Sequence, residues 1–497
     1  MRKTGKTMLS HVAAAALILS GGAFAAPALA ADGAAPRAPA RPAGEVQARP
    51  NVVVILVDDL GWPDVSTYGR HDVPTPNIDR IAQAGVAFSS GYVAASVCAV
   101  SRAGLLTGRR PASFGFYYNI NDQGNEGAGL PTDQPTLAER LRPLGYRTAA
   151  IGKWHQGAER QFYPTNRGFD EFFGFLAGET VYVDPRTPGM VTTPTRADAN
   201  KPPFDHRAAN GIVVEGPDAT PVDDFDKYLT DEITHHAVDF IDRSDGAQPF
   251  FAYVAYNAPH WPLQVPQRWY DKFASIQDPV RRTYVAMIAA MDDGVGQILD
   301  ALDRKGVRDN SIVVFLSDNG CPVQFGFCNP AHPWGAGKFT YLEGGIRVPF
   351  MMSWPAHLQP QGVVDTPVTS LDIVPTILHA AAPDAPLPAG LDGADLMETI
   401  AHPPATPRTL FWGQEPVYAA RQGALKLWRS EDWNQSRLFD LDKDPAELTD
   451  LSRQDSAQAK DMERMIEQWR ASLPPPLWPM RFTRKVTIDG RETEWVY

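Results

Sequence analysis

The sequence predicts an α/β fold with a large, mostly parallel central sheet flanked by helices, and a smaller C-terminal α+β domain. Two observations support this prediction. Apolar runs rich in β-branched residues, typical of buried parallel strands, alternate with segments of helical period. After about residue 400 the pattern changes to a proline-rich stretch, short strand-like segments and one further helix. Alternating strands and helices build a sheet covered on both faces, and the change of pattern marks a second unit.

The first residues have the layout of a cleavable signal peptide, which we place at residues 1–30. A basic start precedes an apolar run from Val12 to Leu19, and small residues follow up to Ala30. The apolar run is far shorter than the roughly 20 residues that a membrane span requires, and no later run reaches that length. We therefore expect a periplasmic or secreted protein without a membrane span.

Residues 31–50 are rich in alanine, proline and arginine and contain almost no large apolar side chains. They cannot offset the entropy of ordering, and we predict a disordered tether. The remainder exceeds the roughly 250 to 300 residues at which single cores stop growing. We therefore predict two domains, at 51–400 and 401–497. The net charge of -12 argues against nucleic acid as a partner, because phosphate binding is driven by clustered lysine and arginine.

Four apolar runs predict buried strands, and each is followed by a polar cluster. The runs with their clusters are Asn51 to Val57 before Asp58-Asp59, Arg147 to Ile151 before Lys153 and His155, Pro249 to Tyr256 before His260, and Ser311 to Leu316 before Asp318-Asn319. Open parallel sheets bind ligands outside the carboxyl ends of their strands. We therefore expect the four clusters to converge on one pocket.

Helical patterns separate these strands and recur near the C-terminus. They cover Thr75 to Ala84, Thr136 to Leu144, Leu229 to Arg243, Pro279 to Lys305 and Ser456 to Leu473. Thr230 is the predicted N-cap of the third helix. Short strands of the C-terminal domain are predicted at Thr409 to Trp412, Val417 to Arg421, Ala424 to Arg429 and Arg437 to Leu441.

Acidic and amide side chains at two of the strand ends indicate a divalent metal. Asp58 and Asp59 follow the first strand, and Asp318 and Asn319 follow the fourth. Either pair alone is ordinary, because acids after a strand often cap the next helix or face solvent. Together they supply the hard oxygen ligands that calcium and magnesium prefer. We predict a Ca²⁺ site, with Mg²⁺ as the alternative.

Basic side chains follow the other strands. Lys153 and His155 lie two residues apart, so on an extended segment both side chains point the same way. His260 follows a proline, and Lys338 lies in a glycine-rich turn. None of the four indicates a site when taken alone, because a single histidine after a strand is more often structural and a lysine in such a turn is usually solvated.

The sequence contains three cysteines, and this odd number leaves at least one thiol without an intrachain partner. Cys321 and Cys328 are close enough in sequence to form a disulfide, and the sequence leaves open whether they do. Cys98 opens the segment CAVSRAGLLTG, which is predicted to begin a helix. A helix N-terminus stabilises anionic groups, and Arg102 adds positive charge one turn further on. This arrangement suits a reactive residue that faces an anion.

The segment that begins at Cys98 resembles the sulfatase signature C-x-[P/A]-S-R-x-x-L-x-T-G. The resemblance covers essentially the whole chain from Asn51. Further blocks in sulfatase order are VDDLG (57–61), TPNIDRIAQAGVAF (75–88), GYRTAAIGKWH (145–155), RGFDEFFGF (167–175), NAPHWP (257–262), SDNG (317–320), GKFTYLEGGIRVP (337–349), SLDIVPTIL (370–378) and LFDLDKDPAE (438–447).

This resemblance implies the alkaline phosphatase-like fold and hydrolysis of sulfate monoesters of sugars or aryl alcohols. It implies that a formylglycine-generating maturation enzyme oxidises Cys98, and that the hydrate of the formylglycine attacks sulfur. Asp58, Asp59, Asp318 and Asn319 are then the metal ligands, together with residue 98. The substrate is a sulfated small molecule or saccharide.

The resemblance also assigns the basic residues. Arg102 and Lys153 hold the hydrate, Lys338 and His260 bind the sulfate and help to protonate the leaving oxygen, and His155 is the base of the second step. The sequence departs from the family at Val100, where proline or, less often, alanine is usual. The maturation enzyme reads this segment, so Val100 puts the conversion of Cys98 in question.

Two other functions remain open at this stage. The same scaffold serves phosphate and phosphonate ester hydrolases, and a chain with an unconverted Cys98 is a non-catalytic binder of sulfated ligands. Asp292-Asp293 and His235-His236 are weaker metal candidates, because both pairs lie inside predicted helices.

Overall fold

The computed structural model of the chain describes residues 49–69, 73–120, 127–195, 212–222, 226–325, 336–479, 483–488 and 491–496. The segment Arg49–Tyr497 is one compact unit. The predicted signal peptide and most of the predicted tether lie outside the described residues. The domain boundary predicted at residue 400 falls inside a helix, Leu396–Ala401, and the division into two domains stays a prediction.

The strands of the described residues are numbered in chain order. They are β1 (Asn51–Val57), β2 (Gly85–Phe88), β3 (Gly91–Tyr92), β4 (Arg147–Lys153), β5 (Glu171–Phe175), β6 (Met190–Thr193), β7 (Val213–Glu215), β8 (Thr220–Pro221), β9 (Phe250–Ala255), β10 (Leu263–Pro266), β11 (Ser311–Ser317), β12 (Phe350–Ser353), β13 (Gly362–Val364), β14 (Val368–Thr369), β15 (Thr409–Gln414), β16 (Val417–Gln422), β17 (Leu425–Ser430), β18 (Gln435–Asp440), β19 (Thr483–Ile488) and β20 (Arg491–Val496).

The α-helices are numbered in the same way, and short 3-10 helices occur in the loops between them. They are α1 (Pro76–Gln83), α2 (Cys98–Thr107), α3 (Leu137–Leu141), α4 (Leu229–Asp242), α5 (Gln267–Tyr270), α6 (Pro279–Arg304), α7 (Glu343–Ile346), α8 (Ile373–Ala381), α9 (Leu396–Ala401) and α10 (Ser456–Ala471). Among the described residues, no helix is both long and apolar enough to cross a membrane.

The central sheet has 10 strands in the order β13-β2-β12-β11-β1-β9-β4-β5-β7-β8. The strands from β11 through β1, β9 and β4 to β5 are parallel, so their carboxyl ends lie at one edge of the sheet. Antiparallel pairs occur further out, between β11, β12 and β2 on one side and between β5, β7 and β8 on the other. The predicted α/β class with a mostly parallel sheet is confirmed.

Helices cover both faces of this sheet, as the continuous apolar strands require. Val53, Ile55 and Val57 of β1 pack in one core with α1, α4 and α6. Val52 and Val54 point to the other face and pack in a second core with α2, α3 and α8. Alternate side chains of one strand therefore stabilise both layers.

The C-terminal region forms a separate antiparallel sheet, β15-β16-β17-β18. One face of this sheet packs against α10 through Leu427, Leu438 and Met462. The other face, which includes Trp412 and Trp428, belongs to a hydrophobic cluster with residues of the loops around α2. The predicted α+β organisation of this region is confirmed.

Most predicted elements appear within a few residues of their predicted bounds, but the N-cap of α4 differs. The helix begins at Leu229, and Tyr228 is its N-cap, without a side-chain capping bond. The carbonyl of Tyr228 accepts from the N–H groups of Asp231 and Glu232, so Thr230 lies within the first turn. The predicted start at Leu229 is correct, but the prediction of Thr230 as N-cap was wrong, because the carbonyl that accepts the first helical hydrogen bonds belongs to Tyr228.

Candidate active site

The residues predicted for the site come together at the carboxyl edge of the central sheet. They follow β1, β4, β9 and β11, and α2 and the turn before α7 supply the rest. Backbone hydrogen bonds join neighbouring strand ends: Asp318 N donates to Val57 O at 2.9 Å, and Asp58 N donates to Ala258 O at 3.2 Å. The predicted convergence of the strand-end clusters is therefore seen in the structure.

Two residues with a positive φ, Gly152 and Asp59, lie at this edge of the sheet. Gly152, near the end of β4, has φ +107°, and a Cβ there would lie 2.0 Å from the carbonyl oxygen of Ala255 on β9. Only glycine fits this position, and its presence lets β4 approach β9 closely, so that Lys153 lies beside the end of β9. Asp59 has φ 67° although it carries a side chain, and Leu60 N next to it donates to Ser317 Oγ at 3.0 Å.

Asp58 is fully buried and lies among three other site residues. Lys153 Nζ donates to its Oδ2 at 2.5 Å, and Cys98 Sγ lies 3.5 Å from its Oδ1. Arg102 Nη2 is 3.7 Å from the same carboxylate. Burial alone would raise the pKa of Asp58, but the charges of Lys153, His260 and Arg102 outweigh it and hold the pKa well below its ordinary value.

Arg102, on α2, joins the site to the end of β11. Its Nε and Nη2 lie 2.9 Å and 2.8 Å from Asp318 Oδ2, and its Nη1 donates to Lys153 O at 2.9 Å. Burial and the neighbouring charge of Asp58 raise the pKa of Asp318 to about 6. For Arg102 burial opposes the charged form, but Asp318 outweighs it and the pKa rises.

Asp59 Oδ1 accepts from two side chains of the opposite loops. Lys338 Nζ donates to it at 2.7 Å, and Asn319 Nδ2 donates at 2.6 Å. Lys338 Nζ also lies 3.1 Å from Cys98 Sγ. Burial alone would lower the pKa of Lys338, but the charge of Asp59 outweighs it and keeps the ammonium protonated.

Cys98 is a free cysteine at the first position of α2, and it is buried. Burial, and then the charge of Asp58, raise the pKa of its thiol to about 12. The thiolate is the nucleophilic form of cysteine, so this environment does not favour cysteine itself as the nucleophile. Val100 of the same helix is buried in the hydrophobic cluster that contains Trp412.

The two histidines have different partners. His260 Nε2 lies 3.6 Å from Asp59 Oδ2, and its Nδ1 bonds Trp261 O at 2.5 Å. Burial lowers the pKa of His260 although the charges of Asp58 and Asp59 oppose this. His155 Nε2 bonds Ile120 O at 3.1 Å, and its Nδ1 is buried without a hydrogen-bond partner among the described residues.

His155 is held as a neutral ring. Burial, and then the positive charge of Lys153, lower its pKa well below the ordinary value. The lowered pKa leaves the ring unprotonated, and because Nε2 bonds a carbonyl, the lone pair lies on Nδ1, where it can receive a proton during a reaction. In this respect the environment of His155 suits a general base.

The described residues include one group of acidic, cysteine and histidine side chains that could hold a metal ion. The ligand atoms of Asp58, Asp59, Cys98 and His260 all lie within 4.8 Å of one another. Asp59 Oδ2 and Asn319 Oδ1 are buried and lack hydrogen-bond partners among the described residues. Buried oxygens without partners are costly unless a cation or water satisfies them. The donor set is therefore suited to a hard divalent cation.

The geometric cluster shares Asp58, Asp59 and Cys98 with the ligands that the sequence analysis gives, but it does not contain Asp318 or Asn319. It includes His260, whereas Asp318 has its carboxylate bonded to Arg102. The weaker metal candidates lie elsewhere. Asp292 is buried in α6 and accepts from Ile78 N at 2.8 Å, and His236 stacks on Phe173.

Cys321, directly after Asp318-Asn319-Gly320, is disulfide-bonded. The other cysteine of the possible bridge, Cys328, lies outside the described residues. The carbonyl of Cys321 accepts from Lys338 N at 3.0 Å, so the bonded cysteine also fixes the turn that carries Lys338.

Sequence reasoning missed two side chains that orient the start of α2. Asn119 Oδ1 accepts from Ala99 N at 2.9 Å, and Gln156 Nε2 donates to Ala99 O at 2.9 Å. Asn119 lies in a loop without periodicity, and no motif signals it. Gln156 directly follows His155, and its place within the GKWHQG segment was the one available signal.

The chain is similar to known proteins over most of its length. Residues 50–383 match the sulfatase family model, and residues 331–472 match the C-terminal model of N-sulphoglucosamine sulphohydrolase. N-acetylgalactosamine-6-sulfatase of Sus scrofa is 33% identical over 408 residues, which cover 78% of this chain and 74% of that protein. Arylsulfatase A of Homo sapiens is 33% identical over 415 residues, which cover 77% of this chain and 76% of that protein.

A solved structure is also similar over most of its length. The crystal structure of Ps i-CgsB in complex with k-i-k-neocarrahexaose has a TM-score of 0.77 and 32% sequence identity, and the match covers 86% of this chain and 94% of that chain. The segment that matches the sulfatase model contains all the strand ends of the site. This chain therefore belongs to the sulfatase family and is a sulfuric ester hydrolase.

Proposed function

We propose that this chain removes sulfate from sulfated saccharides through a formylglycine hydrate at position 98, with Ca²⁺ as its metal. The observation that carries the proposal is the position of Cys98, whose Sγ lies 3.5 Å from Asp58 Oδ1 and 3.1 Å from Lys338 Nζ. A group at this point has the metal candidates on one side and a fixed cation on the other. Preorganised cations of this kind stabilise the charge that develops on an anionic ester.

The saccharide substrate is supported by the relatives. One is named N-acetylgalactosamine-6-sulfatase, and one similar crystal structure is of a complex with k-i-k-neocarrahexaose. An aryl sulfate is the second substrate class, supported by the likeness to arylsulfatase A. Either class presents the same sulfate monoester to the site, so selectivity between them depends on loops outside the charged cluster.

Asp58, Asp59, Asp318 and Asn319 would hold the metal, with residue 98 completing the set and Mg²⁺ as the alternative ion. When bound, the cation would withdraw electron density from the sulfate and offset its negative charge. Asp59 Oδ2 and Asn319 Oδ1 support this assignment, because neither accepts a hydrogen bond from the residues that the structure describes.

The basic residues bind residue 98 and the sulfate group. Arg102 and Lys153 hold position 98, and Arg102 is itself fixed by Asp318 and by the Lys153 carbonyl. Lys338 binds the sulfate, which is supported by the position of its Nζ, 2.7 Å from Asp59 Oδ1 and 3.1 Å from the Sγ of residue 98. These contacts are made before substrate arrives, so no reorganisation is needed during the reaction.

The two histidines handle protons. His260 binds the sulfate with Lys338, and in its protonated form, with Nδ1 bonded to Trp261 O, its Nε2 would donate a proton to the oxygen of the leaving alcohol. His155 accepts a proton from position 98 in the second step, which releases sulfate. This role is supported by its neutral ring and by the unpartnered Nδ1. General acid–base catalysis of this kind contributes about 10² to 10⁴ in rate.

We also propose that residues 1–30 direct export, so that the enzyme acts in the periplasm or outside the cell. A formylglycine-generating enzyme is the partner during synthesis, and it must accept Val100 in place of the usual proline. Val100 is buried in the folded chain, so conversion has to precede packing of α2.

The test is to produce the chain together with a formylglycine-generating enzyme and to measure the peptide that contains residue 98. Conversion of thiol to aldehyde lowers its mass by about 18 Da. Turnover is then measured with 4-nitrophenyl sulfate and 4-nitrophenyl phosphate, and sulfate release is measured from sulfated N-acetylgalactosamine and carrageenan oligosaccharides.

The control is Cys98→Ala, which we expect to keep the fold and which has no thiol to convert. We expect an aldehyde at position 98, turnover of sulfate over phosphate, and no turnover by the control. Converted protein that releases sulfate from no ester would contradict the proposal. Release from the aryl ester but from neither saccharide would restrict it to aryl sulfates.

A further inference from the structure

We infer that Tyr284 is a positioning residue for the metal candidates, acting through the backbone of Asp59. Tyr284 lies on the long helix α6 and is fully buried. Its hydroxyl donates to Asp59 O at 2.9 Å and accepts from Gly61 N at 3.3 Å. One hydroxyl therefore bonds both sides of the turn that follows β1.

The turn needs an external support because Asp59 is in the left-handed region. Its φ of 67° is unfavourable for a residue with a Cβ and persists only where surrounding structure determines it. The side chain of Asp59 is already shared between Lys338 and Asn319, and these contacts fix only one of its oxygens. The backbone is held from the other side by Tyr284.

Helix α6 also contacts the loop after β1 at a second residue, Asp64. Arg281, one turn before Tyr284, donates to Asp64 Oδ1 at 2.7 Å, and both side chains are largely buried. The ring of Tyr284 also meets the ring of Phe325 at 5.9 Å, edge to face. Phe325 belongs to the loop that follows Asn319, so Tyr284 contacts both loops that carry the proposed ligands.

This inference rests on the proposed metal site, since it concerns how well that site is preformed. Groups that orient metal ligands without touching the ion typically contribute 10–100-fold to metal affinity. Loss of the hydroxyl leaves the carboxylate present but lets the backbone of Asp59 relax. Tyr284→Phe should therefore weaken binding of the ion without abolishing it.

The test compares Ca²⁺ affinity, measured by isothermal titration of the chelator-stripped full chain, in the unchanged protein and in Tyr284→Phe. The matched control is Tyr146→Phe. Tyr146 is also buried, and its hydroxyl donates to Pro50 O at 2.8 Å, just before the opposite end of β1. Both changes remove one hydroxyl bonded to a backbone carbonyl, but only one of them lies at the site.

We expect Tyr284→Phe to bind Ca²⁺ at least about 10-fold more weakly and Tyr146→Phe to bind it unchanged. The rise of melting temperature on adding Ca²⁺ should shrink in parallel. If Tyr284→Phe does not fold, Asp64→Asn tests the other fastening point of the loop, with weaker binding again expected. Equal affinity in the folded variant and the unchanged chain would overturn only the role of Tyr284. Absence of Ca²⁺ binding by the unchanged chain would overturn the metal site as well.

Discussion

Lys426 is the clearest place to test how the C-terminal sheet is held to the rest of the chain. Its Nζ lies 2.8 Å from Glu343 Oε1 and 2.8 Å from Glu447 Oε1, and all three side chains are buried. Glu343 also has Arg347 at 3.2 Å, so it keeps one cation if Lys426 is removed. Glu447 has no second ion pair among the described residues.

Lys426→Met keeps the aliphatic stem and removes the charge. Breaking a buried ion pair from one side costs about 3–5 kcal/mol, because a carboxylate is left in the interior without its cation. We expect the free energy of unfolding to fall by this amount. Urea unfolding followed by tryptophan fluorescence should show a lower midpoint with an unchanged slope.

The control is Lys443→Met, which removes an exposed lysine paired with Asp440 at 2.6 Å. Exposed pairs contribute little, so its unfolding midpoint should match that of the unchanged chain. If Lys426→Met unfolds at the same urea concentration as this control, the reasoning about the buried cluster is refuted.

The same cluster should give stability a dependence on pH. Burial, with the charge of Glu343 adding to it, raises the pKa of Glu447 from 4.5 to about 7 although Lys426 opposes the shift. A carboxyl with a raised pKa binds its proton more tightly in the folded state, so its contribution is fully present below pH 4.5 and is lost as the pH rises through about 7. Glu447→Gln stays neutral, and its stability should decline less over that range. An identical decline in both proteins would contradict this assignment.

Three further changes test the site. Lysine at position 102 cannot reproduce the two contacts of Arg102 with Asp318 or its bond to the Lys153 carbonyl. Turnover of 4-nitrophenyl sulfate by Arg102→Lys, measured at saturating substrate, should therefore fall about 100-fold or more. Gly320→Ala would place a Cβ 1.8 Å from the carbonyl oxygen of Gly344, so a stability loss of about 1–3 kcal/mol or more is expected in urea unfolding. Stripping divalent metal with a chelator should abolish turnover and lower the melting temperature, and added Ca²⁺ should restore both.

The sequence predicted the central strands well, because a continuous apolar run identifies a buried strand without reference to other parts of the chain. The run Asn51 to Val57 is buried on both faces, and the observed strand has the same bounds. The same holds for the polar clusters, because the carboxyl ends of parallel strands share one edge whatever the order of the strands. Asp58, Lys153, His260 and Asp318 were therefore expected to lie near one another.

Short strands were less predictable. The short strands β2, β12 and β13 were not identified, because a strand of a few residues depends on its neighbours for its hydrogen bonds. The start of α4 at Leu229 was predicted correctly, but its N-cap was not, because Tyr228 has no side-chain capping bond and is held instead by the tertiary hydrogen bond of its hydroxyl to Gln264 O. Local propensity alone does not contain this information.

The sequence by itself determined the fold class, the order of the elements and the residue types available at the site. Only the tertiary structure decided the partners: which carboxylate is bonded by Arg102, which one by Lys338, and that a tyrosine 225 positions away holds the backbone of Asp59. The physical reason is that periodicity and strand ends are set by neighbours along the chain. The geometry of a single hydroxyl or carboxylate is set by packing between segments that are far apart in sequence.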